Sequence, residues 1–240
     1  MHPDLFEQPV EFETMPRYLL IRHGESVWNG ERRIQGNQDP PLSPRGRRQA
    51  ELLAPRLRLH LPRAAAIYAS PLRRAAETAE AVRAATGLPV FPDPDLREMC
   101  LGKWEGMTVP EIQEAFPGTY EGWLADPLAQ PAPGGERLEA FARRVTDAFE
   151  RVRAAQPGRD AILVSHGGPI KAILCHVLEM EIRSLFRIKQ DNTAVSLVDV
   201  NDATRRVVLL NDTCHLTEAG VDLAPRDVLT DTGEAGDHAL

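Results

Sequence analysis

Between Tyr18 and Leu216, short apolar runs alternate with longer stretches in which apolar residues recur every three or four positions. The short runs predict strands: YLLI at 18–21, AAIYA at 65–69, LPVF at 88–91, AILVS at 161–165, TAVSLVDV at 193–200 and RRVVLLN at 205–211. The last two, joined by NDAT, predict a hairpin closing one edge. The longer stretches predict helices. One follows the start signal Ser43-Pro44 and runs to about His60, with Ala50, Leu53 and Leu57 on its apolar face; Pro71 opens a second, carrying Leu72, Ala75, Ala76 and Ala79. A third runs from about Glu136 to Ala155, and a fourth follows Gly167-Gly168 as PIKAILCHVLEM. Strands alternating with helices predict a three-layer α/β/α sandwich with a mostly parallel central sheet. Residues 98–133 break this rhythm with glycines, prolines, Trp104 and Trp123, and predict a small inserted cap of short helices and loops.

One domain over residues 17–216 is expected, with an amino-terminal extension at 1–16 and a polar, aperiodic tail at 217–240 expected to be disordered. Charge follows this division. The net charge of −7 is made of −4 in the first sixteen residues, −5 in the tail and +2 in between. An acidic chain is a poor nucleic-acid binder, yet its mildly basic middle suits a small anion. No apolar run approaches the ~20 residues of a membrane span, and the acidic start lacks the features of a secretory signal, so a cytoplasmic location is expected. Cys100, Cys175 and Cys214 are far apart and read as small core residues rather than zinc ligands or a disulfide framework.

Two histidines fall in equivalent places. His23 follows YLLIR, and His166 follows AILVS and precedes Gly-Gly and a helix. Ligands of open α/β sheets bind at the carboxyl ends of strands, so both rings are expected at one sheet edge. Gly24, Gly167 and Gly168 permit close approach of a ligand, and the helix start adds amide donors for an anion. The strand AAIYA ends in Ser70-Pro71-Leu72-Arg73-Arg74, bringing an arginine to the same edge. Arg73 is the competing choice; helical spacing, together with the family resemblance described below, favours Arg74. Arg22, Arg74 and two imidazoles would make a pocket for a tetrahedral oxyanion. Either histidine alone reads as a hydrogen-bonded structural residue; the constellation carries the functional reading. His2, His60, His176 and His238 are expected to be structural or solvated. A serine hydrolase is excluded, because LVSHG has Leu163 where a nucleophile elbow needs glycine.

Five motifs in order, RHGES at 22–26, NGERRIQG at 29–36, SPLRRAAETA at 70–79, LREMCLGKWEG at 96–106 and SHGG at 165–168, resemble the histidine phosphatase superfamily, the phosphoglycerate mutase-like proteins. The resemblance implies that His23 is a nucleophile forming a phosphohistidine. It implies that Arg22, Arg74, Asn29 and His166 hold the phosphoryl oxygens, with Gln35, Gly36 and Gly167 in the phosphate site, and that Glu98 is the acid and base. It implies neither metal nor cofactor, and a small phosphomonoester as the partner. The short span between Trp104 and Gly135 favours a phosphatase over a cofactor-dependent phosphoglycerate mutase. A non-catalytic phosphate-binding module is the reading from another class, disfavoured because a binder needs no nucleophile and acid together. Phosphoserine and a sugar-phosphoglycerate are candidate substrates. Thr213-Cys214-His215-Leu216 resembles the end of the superfamily's phosphoserine phosphatases, whose carboxyl-terminal histidine lines the pocket; those enzymes carry a second histidine where this chain has Leu101. His215 and Leu101 are therefore the expected specificity positions. The edge hairpin leaves both a homodimer and a covered edge open.

Overall fold

The computed structural model describes residues 15–60 and 63–221; the expectations for the amino-terminal extension before residue 15 and for the tail beyond residue 221 lie outside the described residues. The chain order is β1 (Arg17–Arg22), α1 (Val27–Gly30), α2 (Pro44–His60), β2 (Ala64–Ala69), α3 (Arg73–Thr86), β3 (Val90–Pro92), α4 (Val109–Ala115), α5 (Thr119–Ala125), α6 (Leu138–Ala155), β4 (Asp160–Ser165), α7 (Gly167–Val177), β5 (Val195–Val200), β6 (Arg205–Asp212) and α8 (Cys214–Thr217). Short 3₁₀ segments lie at Pro94–Leu96, Gly102–Trp104 and Ile182–Arg187.

The strands form one sheet in the order β3-β2-β4-β1-β5-β6. β1, β2, β3 and β4 run parallel, while β5 is antiparallel to both β1 and β6. This is the expected sandwich with its edge hairpin. Because side chains alternate across a strand, a continuous apolar run serves two layers at once. Leu19 and Ile21 of β1 join Ile162 and Val164 of β4 against Leu53 and Leu57 of α2 and Ala75, Ala79 and Val82 of α3. On the other face Tyr18, Leu20, Ala161 and Leu163 meet Phe141, Val145 and Phe149 of α6 and Ile170 and Ile173 of α7.

The cap is an extension of that second layer. Trp104 and Trp123 are buried, meet edge-to-face at 5.8 Å, and Trp123 contacts Phe186 at 5.1 Å. These tryptophans therefore build the cap's own core.

Several boundaries differ from the sequence reading. α3 starts at Arg73 rather than Pro71, because Leu72 keeps an extended backbone (φ −63°, ψ 135°) while its carbonyl accepts the first helical bonds, from Ala75 and Ala76. α6 starts at Leu138 rather than near Glu136. Only Cys175 is a core cysteine. Cys100 is half-buried in a cap loop, and Cys214 is exposed where α8 leaves the edge strand. β6 exposes Val208, Leu209 and Leu210, but its register with β5 slips twice, and Asn211 has φ +53°. Such bulges interrupt the outer edge on which an intermolecular ladder would form. Among the described residues no helix is long and apolar enough to cross a membrane.

Candidate active site

β1, β2 and β4 are adjacent and parallel, so the residues following them reach one edge together. Backbone bonds stitch the three ends: His23 N donates to Ser165 O at 2.9 Å, and Ser70 N to Val164 O at 3.0 Å. His23 and His166 thereby come to an edge-to-face contact, with ring centroids 5.0 Å apart.

The loop that carries His23 is held from several sides. Gly24 N donates to Thr78 Oγ1 at 3.0 Å, and a Cβ on Gly24 would run into the carbonyl of Gly46 in the first turn of α2. A Cβ on Gly46 would in turn strike the backbone of Glu25. Glu25 is itself buried, accepting from Ser43 Oγ at 2.7 Å, so this acid of RHGES is structural. His23 Nδ1 lies 2.7 Å from Gly24 O. A carbonyl only accepts, so Nδ1 carries the proton and Nε2 the lone pair. Arg74 Nε donates to that Nε2 at 3.3 Å.

Arg74 is fully buried, whereas Arg73 is exposed and its backbone amide goes to Asp39. The Arg74 guanidinium is aimed by the carbonyls of Gln38 (2.7 Å) and Gly36 (2.8 Å). Gly36, at φ +49°, contributes its bend and its carbonyl to holding this arginine. Burial lowers the Arg74 pKa to about 10, with Arg22 adding to the shift and Glu98, Asp39 and Glu105 opposing it, so the group stays cationic at neutral pH. Arg22 Nη1 donates to Gln190 O.

Asn29 belongs to α1. Its Oδ1 accepts from Ser26 N at 3.0 Å in a capping box and from Asn192 Nδ2 at 3.4 Å, leaving its amide nitrogen for the cleft. Gln35 Oε1 accepts from Ser26 Oγ at 2.8 Å. Glu98 sits at the amino end of α7, with Oε1 accepting from Met99 N (2.9 Å) and Oε2 from Gly168 N (3.2 Å). A Cβ on Gly168 would overlap that carboxylate, so the second glycine of SHGG makes room for Glu98. At Gly167 the nearest side chain is that of Arg22.

Arg22, His23, Asn29, Gln35, Gly36, Arg74, Glu98, Leu101 and Gly167 all line one cleft of about 790 Å³ that is open to solvent. His166 lies behind His23 rather than in the wall: it is fully buried, with Nε2 2.8 Å from Ser70 Oγ. His215 does not reach this cleft. It occupies the opposite layer among Leu19, Leu53 and Leu57, with Nε2 3.0 Å from Thr193 Oγ1. The expectation that His215 lines the pocket is therefore corrected: α8 packs on the α2 side of the sheet.

The sequence reading missed part of the wall. Lys171, Arg33, Phe141 and Leu185 also line the cleft, and the buried run Gln190-Asp191-Asn192-Thr193 packs against the backbone of His23. Asn192 Nδ2 donates to His23 O at 3.1 Å, and Thr193 N to Arg22 O at 3.1 Å.

Burial, reinforced by Arg74 and Arg22, holds the His23 pKa well below the ordinary imidazole range, against the opposing bond to Gly24. Burial followed by Arg74, His23, Arg22 and Arg144 does the same to His166. The unfolded chain binds protons on these rings near pH ~6.5 while the folded chain does not. Stability is therefore expected to fall as pH drops through that value. Urea midpoints measured without phosphate between pH 7.5 and 5.5 should decrease steadily, and a rise toward acid would show that the folded rings take up protons.

An unprotonated imidazole nitrogen between the buried Arg74 and the half-buried Arg22, with a carboxylate in the same cleft, is an arrangement suited to a phosphoryl group on an α/β fold. The sequence profile of the histidine phosphatase superfamily (branch 1) matches residues 18–213. The chain belongs to that family. It is 36% identical over 209 residues to "Phosphoserine phosphatase 1" of Hydrogenobacter thermophilus, covering 87% of this chain and 98% of that one. Among solved structures, Bacillus stearothermophilus YhfR superposes with a TM-score of 0.77 at 34% identity, over 84% of this chain and 99% of its own. A mycobacterial glucosyl-3-phosphoglycerate phosphatase, solved with VO3, gives 0.74 at 30% identity over 82% and 100%. With phosphatases among such relatives, the chain is a phosphoric monoester hydrolase, and the phosphatase reading is supported over the mutase alternative.

Proposed function

We propose that the chain hydrolyses a small phosphorylated carboxylic acid, of the kind represented by phosphoserine or a sugar-phosphoglycerate, through a phosphohistidine on His23. The observation that carries the phosphate half is an orphaned donor. Arg22 Nε is buried without any partner among the described residues, on a guanidinium that lines the cleft beside His23. A buried unsatisfied donor costs about 1–3 kcal/mol, which an oxygen of a ligand in the cleft would offset.

In the first step His23 Nε2 attacks phosphorus in line; the P–N bond forms, the P–O bond breaks, and Glu98 gives its proton to the leaving oxygen. In the second, Glu98 takes a proton from water as that water attacks phosphorus, and His23 is released with inorganic phosphate. Arg22, Arg74 and the Asn29 amide balance the charge on the equatorial oxygens in both steps.

The carboxylate half rests on the rest of the cleft. Met99, Leu101, Phe141 and Leu185 give it apolar walls, and the nearly buried Lys171, one turn into α7, supplies a cation beside the phosphate loop. "Phosphoserine phosphatase" recurs among the relatives' names, and one solved relative is a phosphoserine phosphatase mutant described as in complex with phosphoserine.

The test is a phosphomonoester panel assayed with EDTA: phosphoserine, glucosyl-3-phosphoglycerate, 3-phosphoglycerate, fructose 2,6-bisphosphate and ribazole phosphate. The carboxylate-bearing esters should lead by at least about tenfold in kcat/KM, a difference of ~1.4 kcal/mol. Highest activity on either ester without a carboxylate, fructose 2,6-bisphosphate or ribazole phosphate, would overturn the substrate class. Phosphate transfer between glycerate positions outrunning release would overturn hydrolysis.

A further inference from the structure

We propose that Arg144 is the positioning residue of the acid–base step, holding the Glu98 backbone to α6 through a clamp completed by Glu136. The inference rests on the hydrolase reading above. Glu98 stands in a stretch without regular structure, between the 3₁₀ segments Pro94–Leu96 and Gly102–Trp104. Such a stretch has no ladder or helix of its own to fix a catalytic group.

Arg144 supplies the missing order from outside. Its Nη1 donates to Asp95 O at 2.7 Å and Arg97 O at 2.8 Å, and its Nη2 to Glu98 O at 2.8 Å and Glu136 Oε1 at 2.7 Å. Its Nε donates to Glu136 Oε2 at 3.1 Å. A guanidinium has five N–H donors, and this one uses all five. Glu136 Oε1 also accepts from Cys100 N at 2.9 Å, so one ion pair grips the backbone on both sides of Glu98.

The anchor itself is rigid. α6 buries Leu138, Phe141, Val145, Ala148 and Phe149 in the core. The Arg144 guanidinium lies 5.0 Å from the ring centroid of Phe141, a residue that lines the cleft. The Glu98 carboxylate, meanwhile, is tied to the first turn of α7 through Gly168 N. Glu98 is thus fixed at its backbone by α6 and at its carboxylate by α7. Misplacement by about 1 Å is enough to lose two orders of magnitude in a positioned proton transfer.

The test compares Arg144→Lys and Arg144→Ala with Glu98→Gln on two esters, activated 4-nitrophenyl phosphate and an alkyl ester such as phosphoserine. Lysine keeps the charge but cannot fork across three carbonyls. Both Arg144 variants should lose roughly 30-fold to 100-fold in kcat on the alkyl ester, with KM changed less than about threefold, and only a few-fold on the activated one. In the double variant with Glu98→Gln, the Arg144 change should add less than about threefold, since its effect passes through Glu98. Equal losses on both esters, or losses that multiply with Glu98→Gln, would overturn the proposal and leave Arg144 a stability residue. Should Arg144→Ala not fold, Arg144→Lys and Glu136→Gln give the same comparison. Wild-type protein inactive on every ester would instead count against the hydrolase reading, a different outcome from a uniform loss in the variants.

Discussion

Replacing His23 with alanine is expected to lower turnover by about 10⁴-fold or more and to abolish any acid-labile phosphoenzyme. His166 is also buried and uncharged beside the same arginines, but it lies behind His23 and does not line the cleft. His23 Nδ1 is committed to Gly24 O, which leaves Nε2 as the attacking atom, and burial with two neighbouring guanidinium groups keeps the ring uncharged. Binding should survive the change. Arg22 is held by Gln190 O and Asn29 by Ser26, and Arg74 loses its Nε bond to the imidazole but keeps those to Gly36 O and Gln38 O. The variant should therefore bind inorganic phosphate within about tenfold of wild type by calorimetry while failing to incorporate label from a 32P-labelled ester. Persistent turnover or persistent label would remove the covalent route.

The second large effect is expected from Glu98→Gln, and it depends on the leaving group. A proton donor matters most when the departing oxygen is a poor leaving group, and general acid catalysis is typically worth 10²–10⁴-fold. Alkyl phosphomonoesters should slow by about 10²-fold to 10³-fold, against less than about tenfold for 4-nitrophenyl phosphate. Glutamine fills the same space and can keep accepting from Met99 N or Gly168 N through its carbonyl oxygen. A loss of equal size on both esters would show that Glu98 shapes the cleft rather than moving a proton.

Much of this arrangement was legible in the chain, for a physical reason. A parallel sheet brings strand ends together whatever lies between them, so His23, Ser70 and His166 could be placed at one edge from three apolar runs and their successors. Arg74 could be preferred to Arg73 on helical spacing together with the family resemblance, and the structure buries Arg74 in the cleft wall while leaving Arg73 exposed. The residues that were missed do not sit after a parallel strand. Gln190 to Thr193 precede β5, and because β5 runs antiparallel to β1, its amino end lies at the edge where β1 delivers its carboxyl end. Four consecutive polar residues before a buried strand were the available signal. Arg144 lies mid-helix, where an arginine ordinarily reads as solvated, and only the fold reveals the carbonyls it meets. His215 failed because a motif at the chain's end carries no information on which side of the sheet its helix will pack.

Among the described residues β1 pairs with β4 and β5, so Tyr18 lies beside Ala161 and Val198, both far along the chain. Contacts this distant in sequence are slow to form, because the loop between them must close before any of them is gained. During synthesis YLLIR leaves the ribosome well before the strands it belongs between, while β2 and β3 can already pair. His23 is made well before the residues near 193, yet its surroundings are assembled only once those have emerged. Fragments ending before β5 should therefore contain His23, Arg74, Glu98 and His166 and still possess no active site.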